Sequence, residues 1–145
     1  MSQKYLFRGT NSEAFAKERD FLRRLEALGR SVREDGDLEY KTSAATSILT
    51  AMIYSQYRRG AESPNAKPLL LAININNYRI EKGVEDDEYV ILGKLNSEDI
   101  EVIDNLEKLK KVYPYSIKQT LDKALQDQKF DKISNYFKQF ILVNV

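Results

Sequence analysis

Leu69-Leu70-Leu71-Ala72-Ile73-Asn74-Ile75 is the most hydrophobic stretch of the chain, and its length suits a buried strand rather than a helix. The polar segment Arg58 to Pro68, with Gly60, Pro64 and Pro68, reads as a surface loop leading into it. The polar run Glu81 to Asp87 follows it. A strand apolar on both faces belongs at the centre of a sheet, so the flanking sequence has to supply its neighbours.

Downstream, Glu88 to Leu95 carries Tyr89, Val90, Ile91 and Leu92 and reads as a strand with carboxylates at its entrance. A turn at Asn96-Ser97 and a further short strand or turn at Ile100 to Ile103 come next. Upstream, Tyr5-Leu6-Phe7 is a short strand that stops at a turn, Arg8-Gly9-Thr10. From Asn11 or Ser12, both good N-caps, Phe15, Phe21, Leu22, Leu25 and Leu28 recur at helical spacing until Gly29. After a turn at Asp35-Gly36, Leu38 to Thr42 reads as a strand. Ser43 then precedes a helix to about Tyr57, with Ile48, Leu49, Met52 and Ile53 on one face. The tail is helical, with Ile117, Leu121, Ala124 and Leu125 on one face and Phe130, Ile133, Tyr136, Phe137 and Phe140 on another. Strands and helices mixed in this way predict a single α+β domain over 1–145, a core of 1–103 carrying a helical extension of 104–145.

The chain has 145 residues, 42% hydrophobic and 31% charged, the balance of a chain that folds around one core. Its 23 basic and 22 acidic residues leave a net charge of +1, so no overall field draws in nucleic acid or an anionic membrane. Without cysteine there are no disulfides or thiolate metal sites, and without histidine the commonest metal ligand and general base are missing. Chemistry here runs on carboxylates, Lys, Arg, Tyr, Ser and Thr, and no metal is expected. No signal-peptide run occupies Met1 to Gly9, and no stretch approaches the roughly 20 apolar residues of a membrane span. The expected place is the cytoplasm, with no membrane partner and with signal-less export left open.

Three features put polar residues where a strand meets a turn: Arg8-Gly9-Thr10, Thr42-Ser43 and Asp86-Asp87-Glu88-Tyr89. In order and spacing they resemble the ADP-ribosyltransferase family of the Arg-Ser-Glu type. There a strand ends in Arg-Gly, a later strand ends in Ser before a helix, and a Glu opens a late strand. The resemblance covers roughly residues 5 to 103. Its most specific piece is Asp87-Glu88-Tyr89-Val90-Ile91-Leu92-Gly93-Lys94-Leu95 with Ser97-Glu98-Asp99-Ile100 behind it. Tyr40-Lys41-Thr42-Ser43, leading into a helix with Ala51 and Tyr54, is similar to the family's Ser strand but departs from its Ser-Thr-Ser form.

The resemblance implies a curved or split, mostly antiparallel sheet flanked by helices, with NAD as co-substrate. Arg8 would hold the pyrophosphate, since a guanidinium offers planar, bidentate, permanently charged donors. Gly9 leaves room for the flat nicotinamide. Thr10, Ser43 and Tyr54 join Arg8 and Gly9 as cofactor-binding residues. Glu88 would stabilise the oxocarbenium-like ribose formed as nicotinamide leaves. Asp86, two positions before it, is the second acidic residue and is matched to the arrangement linked to arginine targets. The acceptor is an unidentified protein or nucleic acid, or water if the chain is an NAD glycohydrolase.

Plainer readings stand beside these. Ser43 serves equally as a helix N-cap, the acidic run as a solvated loop, and Tyr54 as surface filler. Two other functions compete: a non-enzymatic module of the same fold that binds ADP-ribose or a protein partner, and a helical interaction protein whose Phe130 to Phe140 tail presents a face to a partner. Transfer of an RNA 2′-phosphate to NAD is disfavoured by the near-neutral charge and the Ser-Glu pairing.

Overall fold

A computed structural model describes residues 4–16, 30–32, 38–55, 64–93 and 95–141. The strands are β1 (Tyr5–Asn11), β2 (Arg30–Val32), β3 (Leu38–Ala44), β4 (Pro68–Asn74), β5 (Arg79–Lys82), β6 (Tyr89–Leu92) and β7 (Ile100–Val102). The helices are α1 (Ile48–Tyr54), α2 (Leu106–Val112), α3 (Ile117–Gln126) and α4 (Asn135–Ile141). The class is α+β.

The strands form two antiparallel sheets, one in the order β1-β4-β7 and one in the order β2-β3-β6-β5. Among the described residues they meet at an isolated bridge, Phe7 to Ala45. As its sequence demands, β4 sits between two neighbours, and Leu70, Leu71, Ala72 and Ile73 are fully buried.

Two apolar clusters follow. Leu6 and Ile73, cross-strand partners, pack with Ala44, Ile91 and Leu95 between the sheets. The larger cluster lies on the other face of β1 and β4. There Phe7, Leu70 and Ala72 meet Ile48, Leu49 and Met52 of α1 and the buried stripes of α2, α3 and α4. Phe7 packs edge-on against Tyr113, with ring centroids 5.7 Å apart. Ile133 and Phe137 are buried in this cluster, and Phe130 and Tyr136 pack partly buried against it. The face expected to be offered to a partner by these residues is therefore turned inward.

Several boundaries differ from the sequence reading. β1 continues through Arg8-Gly9-Thr10 to Asn11, because it pairs with β4 along its whole length, out to Asn11 with Pro68. The Asn11 side chain then accepts from Ala14 N at 2.9 Å and caps a helical segment covering Ser12 to Ala16. The rest of that expected helix, from Phe21 to Gly29, the Asp35-Gly36 turn and the stretch from Tyr57 to Ser63 lie outside the described residues. Ser43 is not a helix cap, since β3 stays paired with β6 through Ala44 and Tyr89, and Ser47 caps α1 instead, accepting from Leu49 N.

β6 ends at Leu92, before Gly93 at φ +101°, a conformation that L side chains rarely adopt. β5 was not anticipated: it overlaps the start of the polar run Glu81 to Asp87, and only Ile80 of its four residues is partly buried, so the strand lacks an apolar signature. Leu125 points outward, 57% exposed, because Ile117, Leu121 and Ala124 define the buried stripe and Leu125 falls beyond its margin.

Candidate functional site

The three strands singled out by the sequence are lateral neighbours, β1 bridged to β3 and β3 paired with β6. Phe7 N donates to Ala45 O at 2.7 Å and Ala45 N donates back to Phe7 O at 2.8 Å. Past this bridge the sheets part, and the residues flanking it line the seam.

Cross-strand partners share a face of a sheet and successive residues alternate. From the bridge, Leu6, Arg8 and Thr10 therefore share a face with Ala44 and Thr42, then with Tyr89 and Ile91, and then with Lys82 and Ile80. Within the four-stranded sheet one row on this face reads Lys82, Tyr89, Ala44, and Arg8 follows the bridge residue Phe7 on the neighbouring strand. Thr42, 0% exposed, and Thr10, at 9%, put hydroxyls on the same face.

Arg8 Nη1 donates to the main-chain carbonyl of Ser43 at 2.8 Å, so the structure brings these residues together. The Ser43 side chain itself is exposed and belongs to the opposite face, with Val90. Of the two neighbours, it is Thr42 whose side chain is on the face of Arg8. Strand alternation in Tyr40-Lys41-Thr42-Ser43-Ala44 carried this signal, since the buried Ala44 pairs in phase with Thr42 and out of phase with Ser43.

Gly9 faces away from Arg8, toward α1. A Cβ there would lie 1.7 Å from Ala51 O and 2.8 Å from Ser55 N, so the absent side chain lets the helix backbone rest on the strand. That packing cause is independent of any ligand. Tyr54, at the end of α1, is 47% exposed.

The acidic run divides into distinct roles. Asp86 is exposed in the turn before β6. Asp87 accepts from Thr46 N at 3.2 Å and from the Thr46 hydroxyl through Oδ1, and from Ser47 N at 3.0 Å through Oδ2. Its carboxylate thus stitches the entrance of β6 to the entrance of α1, where unpaired N–H groups favour a negative acceptor. The sequence reading assigned Asp87 no role. Glu88 accepts from Val84 N at 2.8 Å through Oε1, while its carbonyl receives Gly83 N at 2.8 Å. The carboxylate therefore rests over the β5–β6 turn.

Among the described residues, no group of His, Cys, Asp and Glu side chains is arranged to hold a metal ion. No protein-family model matches the chain, and no curated protein or solved structure is significantly similar to it.

Proposed function

We propose that this chain is an NAD-dependent ADP-ribosyltransferase, moving ADP-ribose from NAD to an acceptor with release of nicotinamide. The observation that carries the reading is the adjacency of the three marked strands at one seam, with the Arg8 guanidinium reaching the Ser43 carbonyl across it. Arg8 offers its fork to the pyrophosphate. Thr42 supplies the hydroxyl on that face; Glu88, the negative charge for the ribose, projects from the opposite face at the entrance of β6, so NAD has to span that entrance to meet both. The ribose–nicotinamide bond breaks with its electron pair leaving on the ring nitrogen, so nicotinamide departs neutral and needs no histidine acid. The acceptor nucleophile then bonds to the anomeric carbon and gives up its proton to Asp86, exposed in the turn two positions before Glu88, since the intervening Asp87 is engaged by Thr46 and Ser47.

A second reading, a non-catalytic module of the same fold holding ADP-ribose or a protein partner, draws on the outward Ser43 hydroxyl and on the Glu88 carboxylate lying over its own turn.

Nicotinamide release from NAD, with NAD binding measured by calorimetry, separates the two. The expected result is release by the parent protein. Glu88→Gln should lower kcat by on the order of 10²-fold to 10³-fold and keep NAD affinity, because Gln preserves shape but not charge. NAD or ADP-ribose binding without nicotinamide release, with any acceptor tried, would favour the module. Absence of both binding and release would remove the transferase reading and the ADP-ribose-binding form of the module.

A further inference from the structure

The turn between β5 and β6 is built around one side chain. Lys82 pairs with Tyr89 in the ladder, which sets Gly83 opposite Glu88 on the same face. A Cβ on Gly83 would fall 2.2 Å from Glu88 Oε1, 2.5 Å from its Cγ and 2.7 Å from its Cδ. The carboxylate thus occupies the volume that any other residue at 83 would fill. Gly83 does not have a positive φ, so its backbone is open to an L-residue and the exclusion is purely one of space.

Val84 N holds one oxygen of that carboxylate. Lys82 holds the main chain on either side, with Nζ donating to the carbonyls of Glu85 and Glu88 and lying 5.1 Å from the Tyr89 ring centroid. Glu88 N also donates to Glu85 O at 3.1 Å, so the ammonium caps a turn that is already closed. Four successive carboxylates, Glu85 to Glu88, crowd this turn, and a cation on its carbonyls offsets their mutual repulsion.

We propose that Lys82 and Gly83 are positioning residues for Glu88: Gly83 provides the space in which its carboxylate lies, and Lys82 fixes the backbone from which it projects. This rests on the transferase reading for its catalytic consequence but not for its geometry. Its value in catalysis follows from preorganisation, since a fixed charge reorganises least when the oxocarbenium forms, and misplacement by about 1 Å costs up to roughly 10²-fold in rate.

The test has two arms. In the first, the Val84 amide is followed by NMR shift and hydrogen exchange in the parent, Glu88→Ala, Lys82→Met, Lys82→Arg and Gly83→Ala. Glu88→Ala defines the unbonded amide. Gly83→Ala and Lys82→Met should shift Val84 toward that value and speed its exchange, whereas Lys82→Arg should stay near the parent. Val84 unchanged in both Gly83→Ala and Lys82→Met overturns the proposal, whatever the protein's activity.

The second arm measures nicotinamide release. The same two variants should lose kcat by about 10-fold or more with KM for NAD held, and Lys82→Arg should restore most of it. Full kcat in both variants, from a parent that Glu88→Gln inactivates, also overturns the proposal. A parent that releases no nicotinamide counts against the transferase reading, and the Val84 arm then decides the geometry alone.

Discussion

At the scale of single residues, the parity of β3 makes a sharp distinction between neighbours. Thr42 is buried on the face of Arg8, and Ser43 is exposed on the other. In the transferase reading, Thr42→Val should cost one hydrogen bond, about 0.5–1.5 kcal/mol, or up to roughly tenfold in nicotinamide release. Ser43→Ala should leave the rate within about twofold, because Arg8 is held by the Ser43 carbonyl and not its hydroxyl. Equal losses in the two variants, measured in parallel, would show that strand parity does not govern the site.

Tyr78 gives a second residue-level test, this one of stability. Its hydroxyl donates to Asp99 Oδ2 and accepts from Asn96 N. Burial first, and the Asp99 carboxylate second, push the phenol above its ordinary value near 10. The folded state therefore holds the proton more tightly than the unfolded state does. The resulting stabilisation is complete below pH 10 and is lost as pH rises through 10 and past the folded-state value. Tyr78→Phe should be less stable than the parent at pH 8, and the difference should shrink in urea titrations between pH 10 and 11. A difference constant from pH 8 to 11 would contradict this.

At the scale of elements, what was legible in the sequence depended on how strongly burial marks a segment. The apolar run of β4 and the stripe Ile117, Leu121, Ala124 were readable because burial on one or both faces repeats in the residues themselves. β5 was not, since an edge strand of Arg79, Ile80, Glu81 and Lys82 buries almost nothing and its pairing with β6 is supplied by the partner. The extent of β1 was hidden for a related reason. Arg-Gly-Thr looks like a turn until a partner strand pairs with every residue of it.

At the candidate site, the strands β1, β3 and β6 were legible, but the contacts of Asp87 and Lys82 are ones that local patterns do not encode. Gly9 gives the element-scale prediction. The three atoms nearest to an added methyl there are all backbone of α1 and its C-cap, so α1 must move as a body. Gly9→Ala should cost roughly 1–3 kcal/mol and lower Tm by about 5 °C. A melt matching that of the parent would mean that α1 lies farther from β1 than described.

At the scale of the whole molecule, the resemblance ends near residue 103, whereas the core does not. Among the described residues, those from Leu106 to Phe137 provide more than half of the buried members of the larger cluster, against Phe7, Leu70, Ala72 and α1. α2, α3 and α4 thus form the second wall of the layer that the three-stranded sheet begins. Each large apolar side chain contributes about 1.5–3 kcal/mol on burial, and a domain of this size is held by only about 5–15 kcal/mol in total. Removing residues 104–145 takes away several such side chains at once and uncovers Phe7, Ile48, Met52 and Leu70, so the loss exceeds the whole margin. The truncated chain 1–103 should show no cooperative thermal transition, should bind a hydrophobic dye and should aggregate. In the 145-residue chain, Phe137→Ala should cost about 3–5 kcal/mol while the transition stays cooperative. A cooperative melt of 1–103 within a few degrees of the 145-residue chain would show instead that the first 103 residues fold alone and that the helices are an appendage.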